Sequence, residues 1–228
     1  MKRISTSLAA ALLCTTAVAA TAAKADVIVL DFEGVGNQQP VGDYYNGNGG
    51  PDYGIVFSPA TLAIVDEDAG GDGNFANEPS PSTIMFFLDA DNATLNVLNG
   101  FDVGFSFFYS SSVIATVTVW SGLDSTGDLL GSLDLNAQAF NDCAGDPEGD
   151  FCNWTAVGVA FDGIAHSINF GGTANFTGYD NITFGSVTPG GSGPGPVNPV
   201  PEPAALALLG LGLAGLAGLG LSRKRRAN

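Results

Sequence analysis

Apolar and polar positions alternate through the middle of this chain. Phe101, Val103, Phe105, Phe107 and Tyr109 share one face, with Asp102, Gly104 and Ser106 opposite. That two-residue period predicts a half-buried strand over 101–109, with Phe108 left on the polar side. Residues 113–120 repeat the pattern, Val113, Ala115, Val117 and Val119 against Thr116 and Thr118. Shorter β-rich runs predict strands at 27–32, 53–57, 61–65, 83–88, 129–135, 155–161, 166–170 and 178–184. Between them lie segments rich in Gly, Asn, Asp and Pro at 34–51, 66–81, 89–92, 121–127 and 141–153, which read as loops and turns. No stretch of 26–186 carries a 3.6-residue apolar period of helix length. Many short strands joined by such turns predict an all-β fold, a β-sandwich.

The two ends break the alternation. Lys2-Arg3 precedes an apolar, small-residue run over 8–23, and Ala23-Lys24-Ala25 fits an A-x-A cleavage site. This predicts a signal peptide over 1–25, removed by signal peptidase together with Cys14. At the other end, residues 204–221 are apolar. At about 1.5 Å per residue they make a helix of roughly 27 Å, close to a ~30 Å hydrocarbon core. Pro201-Glu202-Pro203 stands before it and Arg223-Lys224-Arg225-Arg226 after it. The basic cluster is expected to stay in the cytoplasm, which places everything before Pro201 outside the inner membrane. The expected organisation is an exported domain at 26–186, a Gly/Pro linker at 187–199, and a tail at 200–228 with a transmembrane helix.

That tripartite tail resembles the PEP-CTERM sorting signal of Gram-negative bacteria. The resemblance implies processing by an exosortase, a membrane enzyme that cuts near the Pro-Glu-Pro motif; a simple tail anchor is the plainer reading. The exported domain is similar to the jelly-roll modules of such surface proteins, themselves similar to carbohydrate-binding modules. Asp31-Phe32-Glu33, Trp120-Ser121-Gly122 and Tyr179-Asp180-Asn181-Ile182 carry that likeness. It implies a jelly-roll-like β-sandwich. It also implies a non-catalytic adhesive or structural role in an exopolysaccharide layer or biofilm. An extracellular polysaccharide hydrolase is the rival from another class.

Charge sharpens the picture. Every Lys and Arg lies in residues 1–24 or 223–226, and all 23 acids lie between, so residues 25–222 carry a formal charge of −23. The exported domain has no Lys or Arg for a salt bridge. It has nothing to replace phosphate counterions, which argues against nucleic acid as a partner. Its carboxylates need water, backbone amides or metal, because self-repulsion opposes compaction. Cys143 and Cys152 remain after export and are expected to form a disulfide. A zinc site is the rival, but two Cys and one distant His do not make a usual ligand set.

Three acidic groupings are candidate sites. Asp31 and Glu33 lie two apart, on one face of an extended strand, and Asp180 shares parity with Ile182 and Phe184. An inward carboxylate needs a partner, either a metal or backbone N–H groups. The jelly-roll resemblance implies a structural calcium ion at Asp31, Glu33 and Asp180. Asp66, Asp68 and Asp72, with Gly71, match part of a calcium loop, but Gly70 and Asn77 depart from it, so a solvated acidic loop is the other reading. Asp142, Asp146, Glu148 and Asp150 form a third, acidic loop. For sugar stacking the candidates are Tyr44, Tyr45, Tyr53, Trp120 and Trp154, with core or rim packing the plainer reading of the two Trp residues. His166 reads as a packed residue, no G-x-S-x-G motif occurs, and no catalytic residue is assigned.

Overall fold

The computed structural model describes residues 27–88, 93–141, 143 and 149–191. They belong to the compact unit Ala25–Gly195. The signal peptide and the tail, with Ala23, Ala25, Pro201, Glu202, Pro203 and Arg223 to Arg226, lie outside the described residues. The strands are β1 (Ile28–Leu30), β2 (Gln39–Pro40), β3 (Ile55–Phe57), β4 (Thr61–Val65), β5 (Thr83–Phe87), β6 (Ala93–Phe101), β7 (Gly104–Ser111), β8 (Ala115–Trp120), β9 (Leu129–Leu135), β10 (Thr155–Ala160), β11 (Ala165–Phe170) and β12 (Thr177–Phe184). A 3₁₀ turn, Leu123–Ser125, is the one helical element among the described residues.

The strands form two antiparallel sheets in a jelly-roll-like sandwich. The larger has the order β10-β7-β12-β5-β4-β2, and β1 also pairs with β12. The smaller has the order β3-β6-β11-β8-β9. Inward residues of β7 and β12 (Phe105, Phe107, Tyr109, Tyr179 and Phe184) meet those of the smaller sheet (Leu95, Val117, Val119, Ile168 and Phe170), all buried. The rings prefer edge contacts: Phe170–Tyr179 centroids are 4.8 Å apart and Phe101–Phe184 centroids 4.9 Å. This geometry sets the positive ring edge against the negative face of its neighbour. The Tyr179 hydroxyl donates to the Gly171 carbonyl at 2.6 Å, so the core's largest polar handle is satisfied.

Four local features depart from the expected pattern. β6 was not expected from the pattern: its Ala93, Leu95 and Val97 face inward, but Asn96 and Asn99 dilute the β signal. A tight turn splits the expected 101–109 strand. Gly104 N–H donates to the Asp102 carbonyl at 2.8 Å across Val103 at φ 72°. Val103 is therefore exposed rather than in the core. In the β6–β11 pair, Ala165 aligns with Phe101 and Ser167 with Asn96, so residues 97–100 bulge out opposite His166 alone. Finally, β12 bulges at Asn181, φ 48°, between Asp180 and Thr183. Beyond the last strand, Gly190 N–H donates to Thr183 Oγ1 and Val187 lies against Gly104, so the first residues of the expected linker belong to the domain.

Cys143 and Cys152 are disulfide-bonded, with Cα atoms 5.3 Å apart. Closing that loop stabilises the chain by about 2.5–3 kcal/mol on chain-entropy grounds. Urea denaturation of the C143S/C152S variant should show that loss, and an unshifted midpoint would refute it.

Candidate functional site

The segment Pro79-Ser80-Pro81-Ser82-Thr83 leads into β5. Proline has no N–H, so this segment owns three backbone donors, and all three go to carboxylates. Ser80 N–H donates to Asp180 Oδ2 at 2.6 Å. Ser82 and Thr83 N–H both donate to Glu33 Oε1 at 2.8 Å. Their hydroxyls, Ser82 Oγ and Thr83 Oγ1, donate to Glu33 Oε2 at 3.1 Å. Asp180 Oδ1 accepts from its neighbour Asn181 N–H at 2.6 Å. Two acids from opposite ends of the domain thus grip the start of one strand. Six hydrogen bonds converge on the two carboxyl groups.

This arrangement corrects two sequence expectations. The bulge at Asn181 reverses the alternation, so Asp180 does not share a face with Ile182 and Phe184. It lies on the outer face of the larger sheet and is buried there by the Ser80 segment. The chain also leaves the strand conformation after Leu30. Phe32 sits at φ 61° and Val35 N–H closes a turn on its carbonyl. Asp31 is therefore exposed, its Oδ1 accepting Glu33 N–H at 3.2 Å, while Glu33 turns inward to the clamp.

The residues as arranged do not fit a calcium ion. Calcium takes six to eight oxygens with free lone pairs. Here the Glu33 and Asp180 oxygens face N–H and O–H donors, and Asp31 is not with them. The second loop does not gather either. Asp66 Oδ1 accepts Asp68 N–H at 3.2 Å, while Asp72 turns away to the Asn37 and Gln38 amides. No group of three or more His, Cys, Asp or Glu side chains among the described residues is placed to hold a metal. Of the third loop, Asp150 is exposed and accepts from Asn74 Nδ2 at 3.2 Å; Asp142, Asp146 and Glu148 lie outside the described residues.

The aromatic candidates separate by burial. Tyr45 is a core residue, 2% exposed, whose hydroxyl accepts Phe32 N–H at 2.7 Å; burial pushes its phenol far above the usual range. Tyr44 is wedged beneath Gly34 and Gly50 and donates to the Glu33 carbonyl. Trp154 roofs the outer face of the larger sheet: it donates to the Ala76 carbonyl at 3.0 Å and stands edge-on to Phe75. Trp120 is half-buried and donates to Thr118 Oγ1 at 2.9 Å. His166 Nδ1 lies 3.2 Å from the Val97 carbonyl oxygen, propping the β6 bulge. The clamp's partner segment carried one usable signal in the sequence: Pro-Ser-Pro concentrates donors at few positions.

Residues 199–226 match the PEP-CTERM protein-sorting motif. Pro201, Glu202, Pro203 and the Arg223 to Arg226 cluster all fall inside the match. No curated protein matches the chain. Among solved structures, the K2 cleaved adhesin domain of Lys-gingipain is similar at 10% identity and a TM-score of 0.45, over 69% of this chain and 97% of that one. A family 29 carbohydrate-binding module from Piromyces equi aligns at 15% identity and 0.31, over 57% and 89%. A glycoside hydrolase family 43 arabinoxylan arabinofuranohydrolase from Bacillus subtilis, in complex with cellotetraose, aligns at 16% identity and 0.35, over 58% of this chain and 27% of that one.

Burial pushes the Asp180 carboxyl up, to about 7; the hydrogen bonds from Ser80 and Asn181 pull the other way, and the nearby Glu33 charge adds to the rise. Between about pH 4 and 7 the folded protein therefore holds a proton that the unfolded chain has released. Stability should fall as pH rises through that window, by on the order of 4 kcal/mol from this group, and level off above it. Thermal melts from pH 4 to 8 should show that decline in the parent and a flatter profile in Asp180→Asn. Parallel profiles would refute the assignment.

Proposed function

We propose that the chain is an exported surface or extracellular-matrix protein whose β-sandwich is a non-catalytic binding or structural module associated with exopolysaccharide. The observation that carries this reading is the sorting motif at 199–226. The motif implies membrane-anchored export and sorting to the cell surface, with an exosortase as the processing partner. Signal peptidase acts at the other end, after Ala25, and the inner membrane holds the protein in between.

Charge segregation supports the same route. The basic residues stay with the two terminal segments, and the domain between them is acidic throughout. The clamp geometry supports a binding or structural role over hydrolysis. Glycoside hydrolysis needs one carboxyl group free to give a proton and a second free to attack or to activate water. Glu33 and Asp180, which the fold brings together, have their oxygens occupied by the Ser80–Thr83 donors and Asn181.

Affinity electrophoresis of the full chain through gels containing the producing cell's exopolysaccharide should show retardation without release of reducing ends. Free migration would discard the binding reading, and released reducing ends would favour the hydrolase. Intact-mass measurement of the extracellular form should show loss of the residues beyond the Pro-Glu-Pro region. A complete C-terminus would exclude the cleavage.

A further inference from the structure

The bulge in β6 opens a cleft between the two sheets. Ile28 of β1, Phe184 of β12, and Val97 and Phe101 of β6 form its apolar walls, with Tyr53, Asn99 and Asp102 around them. Each polar member is fixed by a separate local device. The Tyr53 ring stacks on the buried Tyr45 ring, centroids 6.3 Å apart and planes 11° from parallel, while the residue stays 38% exposed. Tyr45 in turn is anchored by the Phe32 N–H, so the platform rests on the core. Asn99 sits in the bulge that His166 props from behind, with Gly54 packed under its amide. Asp102 begins the tight turn over Val103.

That turn is strained. A β-branched residue at φ 72° is an outlier, and strain of this kind is held where the surrounding structure demands it. Bulges commonly re-aim side chains beside binding sites. The Tyr53 hydroxyl, the Asn99 amide and the Asp102 carboxylate are solvent-exposed and make no side-chain hydrogen bond among the described residues, so their polar atoms are open to a ligand.

We propose that this cleft binds a neutral saccharide, resting on the glycan-associated function above. The Tyr53 ring offers a flat apolar platform for the C–H face of a pyranose. Asn99 and Asp102 supply a donor and acceptors for adjacent hydroxyls. A neutral ligand is favoured over an anionic one because the domain contains no Lys or Arg to pair a carboxylate or sulfate. A cation is disfavoured because Tyr53 is the one exposed ring in the cleft, and cages for ammonium groups use several.

Calorimetric titration of the full chain with cello-, xylo- and manno-tetraose, alongside affinity electrophoresis on exopolysaccharide, tests the assignment. At least one neutral oligosaccharide should bind, and Tyr53→Ala should weaken it at least ~10-fold, as expected for an anchoring aromatic. Asp102→Asn and Asn99→Ala, at exposed positions that leave the core intact, should each weaken it several-fold with an unchanged melting temperature. These two variants keep the test decisive if Tyr53→Ala unfolds. Glycan binding that survives all three substitutions would overturn the cleft while sparing the broader function. Failure of the parent to bind any tetraose or the exopolysaccharide would overturn both. Tetramethylammonium binding in place of the oligosaccharides would overturn the ligand class.

Discussion

Backbone amides replace the missing cations of this domain. A fold with no Lys or Arg that buries carboxylates must find positive partners elsewhere, and the N–H groups of Ser80, Ser82 and Thr83 are those partners. Flanking prolines concentrate the effect, because Pro79 and Pro81 offer no donor and fix the local backbone. The clamp ties three distant stretches together: the turn after β1, the start of β5 and the bulge in β12. It joins the two ends of the domain without a charge of opposite sign. The cost appears at Asp180, whose burial and proximity to Glu33 oppose ionisation.

The rest of the sandwich follows from confining acids to the surface and cohesion to the core. Apolar burial and edge-on aromatic contacts drive collapse, and the disulfide closes the loop that precedes Trp154. The remaining carboxylates form local turns or meet side-chain amides, as Asp66 does with Asp68 and Asp72 with Asn37 and Gln38.

Much of the fold was legible in the sequence. Clean alternation located β7 and β8, Gly/Asn/Asp clusters located the turns, and the two cysteines left after the expected export pointed to their bridge. What was not legible depends on register and on contacts distant in sequence. One extra residue at Asn181 moved Asp180 to the opposite face, which no period-two count can detect. The left-handed conformation of Phe32 separated Asp31 from Glu33. Interleaved Asn residues hid β6, although its inward positions alternate as regularly as those of β8. Tyr45 and Tyr53 lie close in sequence and read alike, yet one is core and the other its exposed stacking partner; only the packing separates them.

Native-state hydrogen exchange at the Ser80, Ser82 and Thr83 amides is the most direct test of the clamp. If carboxylates hold them, the three protons should be protected to the level of the central β5 and β12 amides. Exchange at the rate of the exposed 47–52 loop would contradict the central role of these bonds.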